Sequence, residues 1–127
     1  MTFVHREQVR FRDIDGLGHV NNAVFLTYIE QARAAYFLEA GVITSLDELQ
    51  MIIARVEIDF RAPVEYGETV EVEVRPARLG TTSFDFEYTL RVDGRVVAEA
   101  RSVQVAFDYE AREPMPIPEA WRKLVAP

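Results

Sequence analysis

The stretch from Asp13 to Phe37 reads DIDGLGHVNNAVFLTYIEQARAAYF and decides the fold. It begins as a polar turn with two glycines and continues as a long apolar run. This pattern predicts a helix over residues 23–40, with Asn21 or Asn22 as its N-cap and Gly41 as its terminator. Because its apolar residues leave only a thin polar stripe, we expect the helix to be buried on most sides.

Alternating apolar and polar residues predict five strands around this helix. In the first strand Val9 and Phe11 are expected to share one face. In the last strand the alternation slips, which indicates a bulge or burial on both faces in the second half, where Val103, Val105 and Phe107 become the apolar set. The predicted strands are Phe3 to Arg12, Ile52 to Arg61, Val70 to Arg75, Phe84 to Val92 and Val96 to Phe107.

Turn signals separate these strands. Asp93-Gly94 is a strong two-residue hairpin signal, and Pro76 and Gly80 mark the preceding reversal. After Asp108 the chain is rich in proline, and a short turn of helix is expected from Glu119 to Leu124.

The order of the elements predicts an α+β fold. Short connections after the helix favour antiparallel pairing of neighbouring strands, and one long apolar helix must bury itself against the sheet. We therefore expect one domain over residues 1–127, a curved antiparallel five-stranded sheet wrapped around one central helix. A chain this short leaves sheet edges open, so we also expect a homodimer with paired edge strands, and a dimer of dimers is a further possibility.

Composition excludes several functions. The chain has 127 residues and a net charge of −7, which disfavours nucleic-acid binding. It has no cysteine, so a disulfide framework, a thiol nucleophile and a thiolate metal site are excluded. Since neither a signal-peptide run nor a membrane-length apolar segment is visible, a cytoplasmic protein without membrane contact is the default.

The candidate catalytic residues lie in the turn before the helix. The sequence has no G-x-S-x-G elbow, no P-loop and no zinc-ligand spacing, which leaves Asp15, His19 and the helix start. A carboxylate there could attack a carbonyl or deprotonate water, and free N–H groups at Asn22 or Ala23 could polarise the carbonyl oxygen. A thioester fits, because a thiolate leaves without a strong general acid. The alternative is that Asp15 only forms the turn and that the asparagines only cap the helix.

The stretch VRFRDIDGLGHVNNAVFLTYIEQAR, from Val9 to Arg33, resembles the hot-dog-fold thioesterases of the 4-hydroxybenzoyl-CoA thioesterase-like family. The resemblance covers essentially the whole chain and implies hydrolysis of an acyl-CoA to a carboxylic acid and CoA, without a metal or cofactor. It also implies that Asp15, not Asp13, is the catalytic carboxylate. The carbonyl would be polarised by the backbone N–H of Asn22.

Other site residues follow from the same resemblance. Plant acyl-ACP thioesterases, which are similar here, have an asparagine where this chain has Leu17, so His19 is left to orient Asp15 or the attacking water. A Ser-Phe pair on the fourth strand of the family points to Ser83, and with Arg78 it would lie on the path of the CoA pantetheine and phosphates. Glu30 is expected to be structural, paired with Arg33 or with a partner subunit.

The acyl group is expected along the helix in the dimer interface, near Phe25, Tyr28 and Phe60. Two alternatives on the same fold stay open: a non-catalytic acyl-CoA binding protein, and an acyl-thioester hydratase or dehydratase.

Overall fold

The computed structural model describes residues 2–127, and most of the chain there lies in one six-stranded antiparallel sheet and two α-helices. The sheet curves around the long helix. No helix within residues 2–127 is both long enough and apolar enough to cross a membrane. In chain order the elements are β1 (Phe3–Gln8), α1 (Asn22–Glu39), β2 (Met51–Phe60), β3 (Thr69–Leu79), β4 (Ser83–Val92), β5 (Arg95–Asp108), β6 (Glu113–Pro114) and α2 (Glu119–Val125).

The five expected strands are present, but not all consecutive strands are neighbours. The sheet order is β1-β3-β4-β5-β2, and the two-residue β6, which the sequence did not reveal, pairs with β5. The expectation that each strand pairs with the next is wrong for β2 and β3, because the connection over residues 61–68 carries the chain across the sheet. This connection passes beside the turn before α1, where the Val20 N–H donates to the Val64 carbonyl at 2.8 Å.

Helix α1 is capped as the sequence indicates. Asn21 is the N-cap and its side chain accepts from the Ala23 N–H, while Gly41 follows the helix with a φ of +76°. This φ lies in the left-handed region, which glycine adopts without strain. The expectation of burial on most sides is not met within one chain: a single face is buried, and Leu26 and Leu38 on the opposite side are 38% and 39% exposed.

The core lies between α1, α2 and the inner face of the sheet. Its aromatic centre packs edge to face, and the ring of Phe37 on α1 lies 5.2 Å from the ring of Trp121 on α2. Each fully buried side chain of this size stabilises the fold by about 1.5–3 kcal/mol. The largest apolar side chains that are fully buried include Tyr28, Phe37, Phe84, Phe86 and Tyr88.

The first strand ends earlier than its alternation predicts. The Asp13 carboxylate accepts the Arg10 N–H at 3.0 Å, and the Asp13 N–H donates to the Arg10 carbonyl at 2.9 Å. These two bonds bend the chain into a short 3-10 turn over Phe11–Asp13. As a result Val9 is buried whereas Phe11 is 82% exposed, so the predicted shared face is wrong.

Bulges shift two more predicted patterns. In β2 the pairing with β5 slips between Ile53 and Arg55. Ile53 and Val56 therefore both line a small cavity between β2 and α1, although strict alternation would place them on opposite faces. In β3 the pairing with β4 slips between Pro76 and Arg78, and the strand continues to Leu79 instead of reversing at Pro76. The reversal follows at residues 80–82.

The inner face of β5 also differs from the prediction. Its bulge lies near the start of the strand, where Leu90 pairs with Ala98 but Arg91 pairs with Val96. Further along, Ser102 and Gln104 are fully buried, whereas the residues predicted to take over the inner face, Val103, Val105 and Phe107, are only partly buried.

Burial of these polar residues is explained by a hydrogen-bonded chain. The Arg33 guanidinium donates to the Tyr88 hydroxyl at 3.1 Å, and that hydroxyl bonds Ser102. Ser102 in turn bonds Gln104, whose amide donates to the Phe84 carbonyl at 3.1 Å. Buried polar groups are tolerated when each of them has a hydrogen-bond partner, and this series of hydrogen bonds between α1, β4 and β5 meets that condition.

Candidate active site

The turn before α1 is a closed loop. Ile14 and Val20 form an isolated antiparallel bridge, and the Asp15 N–H donates to the His19 carbonyl at 3.0 Å. The Gly18 N–H donates to the Asp15 carbonyl at 3.0 Å, and Gly18 has a φ of +84°, which disfavours any side chain there. This loop fixes the backbone of Asp15 close to the start of α1.

Two neutral donors hold the Asp15 carboxylate. Its Oδ1 accepts the Leu17 N–H at 2.9 Å, and its Oδ2 accepts the side-chain amide of Asn21 at 3.1 Å. No Lys, Arg or His side chain within residues 2–127 forms an ion pair with it. Asp15 is half-buried, so part of its side chain remains accessible. An oriented anion with free lone pairs is suited to act as a base or as a nucleophile.

The first turn of α1 offers a free backbone donor. The Ala23 N–H is capped by the Asn21 side chain at 2.9 Å, and the Val24 N–H donates to the Asn21 carbonyl at 2.9 Å. The N–H of Asn22 has no acceptor within the part of the chain that the structure describes. A free N–H at the positive end of a helix can stabilise an oxyanion.

These groups open into one cavity of about 380 Å³. It lies between the start of α1 and the end of β2, and both apolar and polar side chains form its wall. The rings of Phe25 and Phe60 pack edge to face at 5.2 Å and give it an aromatic side. Its lining residues are Asp15, Leu17, His19, Val20, Asn21, Asn22, Phe25, Phe60, Arg61, Ala62 and Pro63.

The two acids of the turn have different environments. Asp13 is buried at 4% exposure, and burial raises the pKa of its carboxyl. Hydrogen bonds from the Arg10 N–H, the Tyr28 hydroxyl and the Arg10 guanidinium outweigh burial and hold the pKa below its ordinary value. All of these partners are structural, so Asp13 anchors the turn whereas Asp15 faces the cavity.

His19 lines the cavity beside Asp15 but does not hold it. The described residues supply no hydrogen-bond partner for its ring. The bonds that orient Asp15 come from Leu17 and Asn21, the second of which the sequence indicated only as a helix cap. The side-chain amide of Asn21 is therefore a feature that motif reasoning missed, as is the position of Arg61 on the cavity wall.

Three of the expected substrate contacts lie away from this cavity in one protomer. Tyr28 is 1% exposed, and its hydroxyl donates to Asp13 at 2.7 Å. Arg78 donates to the Ser83 hydroxyl at 2.7 Å, and its guanidinium lies 2.8 Å from Asp85. The other oxygen of Asp85 pairs with Arg101 at 2.8 Å, so the charge of Arg78 is partly neutralised.

A second cavity of about 170 Å³ lies further along the space between α1 and β2. Arg33 and Glu30 both line it, but they form no ion pair with each other, contrary to one of the expectations for Glu30. Arg33 is 5% exposed and is bonded to the neutral Tyr88 hydroxyl instead. No carboxylate of residues 2–127 lies within ion-pair distance of this buried cation.

The titratable groups do not converge on a metal site. Among the described residues, no three His, Asp or Glu side chains come together in a geometry that could hold a metal ion.

Comparison with known proteins identifies the family of the chain. The family model described as the thioesterase-like superfamily matches residues 9–125. The chain is 30% identical to the 1,4-dihydroxy-2-naphthoyl-CoA hydrolase of Thermosynechococcus vestitus, over 94% of this chain and 87% of that one. It is 26% identical to the hydrolase of the same name from Synechococcus elongatus, over 93% of each chain.

Among solved structures, the chain resembles a thioesterase from Thermus thermophilus in complex with coenzyme A and zinc. The two share 40% sequence identity with a TM-score of 0.86, over 96% of this chain and 90% of that one. The family model spans nearly the whole chain, and the structural likeness extends over the sheet and the central helix. This chain therefore belongs to the thioesterase-like superfamily, has the hot-dog fold expected from its sequence, and is a thioester hydrolase.

Proposed function

We propose that this protein hydrolyses acyl-CoA thioesters, with Asp15 as its catalytic carboxylate. One observation carries the proposal: Asp15 and Asn22, whose backbone N–H has no acceptor among the described residues, line the same 380 Å³ cavity. A thioester carbonyl bound there would have an anion on one side and an oxyanion donor on the other. The names of the relatives, and the coenzyme A bound to the Thermus protein, favour an acyl-CoA over other thioesters.

The chemistry can follow either of two courses. In the first, a carboxylate oxygen of Asp15 attacks the carbonyl carbon, the C–S bond breaks, and CoA leaves as the thiolate; water then cleaves the mixed anhydride. In the second, Asp15 takes a proton from water, the resulting hydroxide attacks the carbonyl, and the tetrahedral oxyanion collapses with loss of the thiolate. In both, the Asn22 N–H stabilises the oxyanion.

A single turnover in ¹⁸O-labelled water tests for the first course, because label can enter Asp15 only if water attacks the Asp15 carbonyl of an anhydride. If Asp15 is the nucleophile and water then attacks the Asp15 carbonyl of the anhydride, the first carboxylic acid product carries only unlabelled oxygen. The label then remains in the protein. If Asp15 is a base, or if water attacks the acyl carbonyl of the anhydride, the first product carries one ¹⁸O atom and the protein stays unlabelled. Mass spectrometry of the product and of the peptide containing Asp15 reads both outcomes.

The aromatic side of the cavity supports an apolar acyl group. Phe25 and Phe60 pack edge to face and line the same cavity as Asp15. Aromatic acyl groups gain edge-to-face contacts there beyond simple burial. Release of free thiol from a panel of aromatic and aliphatic acyl-CoAs tests the proposal, and an absence of release from every member would refute it.

The proposed active form is a homodimer joined through β2. This strand ends the sheet, and four of its large apolar side chains are at least 36% exposed: Ile52, Ile53, Val56 and Phe60. The opposite edge, β1, is shorter, and its exposed large apolar side chain is Val4. Antiparallel pairing of β2 with its copy across a two-fold axis would cover the apolar edge.

The dimer would also complete the space between α1 and β2. Leu26 on α1 is exposed beside it, and Arg33 is a buried cation without a carboxylate partner among the described residues of its own chain. A second copy would cover Leu26 and close the cavity that Arg33 lines. Arg78 and Ser83, which are remote from the cavity of their own protomer, remain proposed contacts for CoA in this assembly.

A further inference from the structure

We infer that Asn21 is a positioning residue whose side-chain amide holds the Asp15 carboxylate in its reactive orientation and ties it to the start of α1. The inference rests on the proposed function, since it concerns the carboxylate that would carry the reaction. In this role Asn21 contributes no atom to the reaction and acts only through the Asp15 carboxylate that it holds.

The two ends of the Asn21 amide have different partners. Its Oδ1 accepts the Ala23 N–H at 2.9 Å, and its Nδ2 donates to Oδ2 of Asp15 at 3.1 Å. A flipped amide would set its NH₂ group against the Ala23 N–H and its oxygen against the carboxylate. Both contacts would be repulsive, so the chemistry of the partners fixes the orientation of the amide.

The backbone of Asn21 is anchored as firmly as its side chain. Its N–H donates to the Asp13 carbonyl at 3.0 Å, and its carbonyl accepts the Val24 N–H at 2.9 Å. Asp13 is in turn buried and bonded to Tyr28. Asn21 therefore connects the carboxylate to a rigid part of the fold.

A neutral donor suits this role better than a cation. Asp15 has one other hydrogen bond, from the Leu17 N–H at 2.9 Å, so removal of the amide would leave one oxygen free and let the carboxylate rotate. An arginine or lysine at position 21 would hold the carboxylate too, but would neutralise much of its charge. The amide orients the anion without this loss.

The test compares Asn21→Ser with the native chain. Serine is a good N-cap, so the helix keeps its cap, but its shorter side chain cannot reach Asp15. We expect kcat for acyl-CoA hydrolysis to fall about tenfold to a hundredfold, as small misplacements of catalytic groups do, while KM stays within about twofold. Thr44→Ala, which removes a side-chain bond to Glu48 outside the two cavities, is the control and should retain the native kcat.

Asn21→Asp is a second variant that tests the inference. Aspartate is an isosteric cap acceptor, but it cannot donate and places a second negative charge against Asp15. It should lose at least as much kcat as the serine variant while its melting temperature stays close to that of the serine variant. In an Asp15→Asn background, Asn21→Ser should cause no further loss, because the group that it positions is gone. Additive losses, or a native kcat in both single variants, would overturn the inference.

A crystal structure of Asn21→Ser tests the inference without relying on turnover. We expect the Asp15 carboxylate to leave its native position or to adopt several. If it keeps the native position in a single conformation, the inference is wrong even if the native protein is an active thioesterase. Failure of the native protein to hydrolyse any acyl-CoA would refute the proposed function, and the position of the carboxylate would still decide the role of Asn21.

Discussion

The hydroxyl of Tyr28 lies 2.7 Å from Oδ2 of Asp13, and both side chains are buried below the turn that carries Asp15. This bond contributes to the different environments of two acids that are separated by a single residue. Asp13 is enclosed by donors and fixes the turn, whereas Asp15 points to the cavity. The sequence analysis expected Tyr28 near the acyl group, whereas its hydroxyl holds Asp13 in the turn that carries Asp15.

Tyr28→Phe should destabilise the protein by about 1–3 kcal/mol, because the variant leaves a buried carboxylate with one donor fewer. Chemical denaturation at pH 7 measures the free energy of unfolding. Tyr36→Phe is a matched control: its hydroxyl donates to the neutral Leu124 carbonyl at 2.7 Å, so its loss should be smaller. A larger loss in the control would contradict this account of Asp13.

Asp13 should also make stability depend on pH. Its folded pKa lies below the ordinary value of 3.8, so ionised Asp13 stabilises the fold fully above that value. The contribution is lost as the pH falls through the lowered pKa. The difference in unfolding free energy between the native chain and Asp13→Asn should therefore be largest near pH 7 and shrink below pH 3.8. A difference that is constant with pH would contradict the assignment.

Val56→Asp should convert the proposed dimer to monomers at micromolar concentration. Val56 is 36% exposed on the edge strand β2, and a carboxylate there would be buried against its copy. Sedimentation velocity reads the result. Val4→Asp on β1, at 37% exposure, is the matched control and should leave the dimer intact. If only the Val4→Asp variant dissociates, the dimer forms through β1 and the proposed interface at β2 is wrong.

Phe60→Ala should weaken the binding of aromatic acyl-CoAs more than that of short aliphatic ones. Its ring lines the cavity and packs on Phe25, and such aromatic pairs are worth about 0.5–1.5 kcal/mol beyond burial. The ratio of kcat/KM values for the two substrate classes is the measurement. Phe11→Ala, which removes an exposed ring paired with Tyr66 outside the cavity, should leave this ratio unchanged.

The fold was largely predictable because its strongest signals are local. The cap at Asn21 and the left-handed Gly41 delimit the helix, and both Asp93 and Gly94 have positive φ in the predicted hairpin. The sheet order was not predictable in the same way. It depends on how residues 61–68 cross between β2 and β3, a long-range path that no periodicity encodes.

The site was predictable in part for similar reasons. Family resemblance singled out Asp15, and its place on the cavity wall depends on a turn that the glycines indicate. The contact between Asn21 and Asp15 depends on the closed loop of residues 14–20, so a sequence pattern alone does not reveal it. The inward burial of Ser102 and Gln104 was missed because alternation assigns apolar residues to the core. These two hydrogen-bond to each other, and each has one further partner: the Tyr88 hydroxyl for Ser102 and the Phe84 carbonyl for Gln104.

The central claim is that Asp15 carries the hydrolysis of an acyl-CoA, and the most direct test is thiol release by Asp15→Asn beside the native chain. The variant should keep the native melting temperature within a few degrees, since Asp15 is half-buried and asparagine can retain the bond from Leu17. Its kcat should fall about 10²–10⁴-fold, the range expected when a catalytic acid or base is removed. A folded Asp15→Asn protein that releases thiol at the native rate would contradict the account.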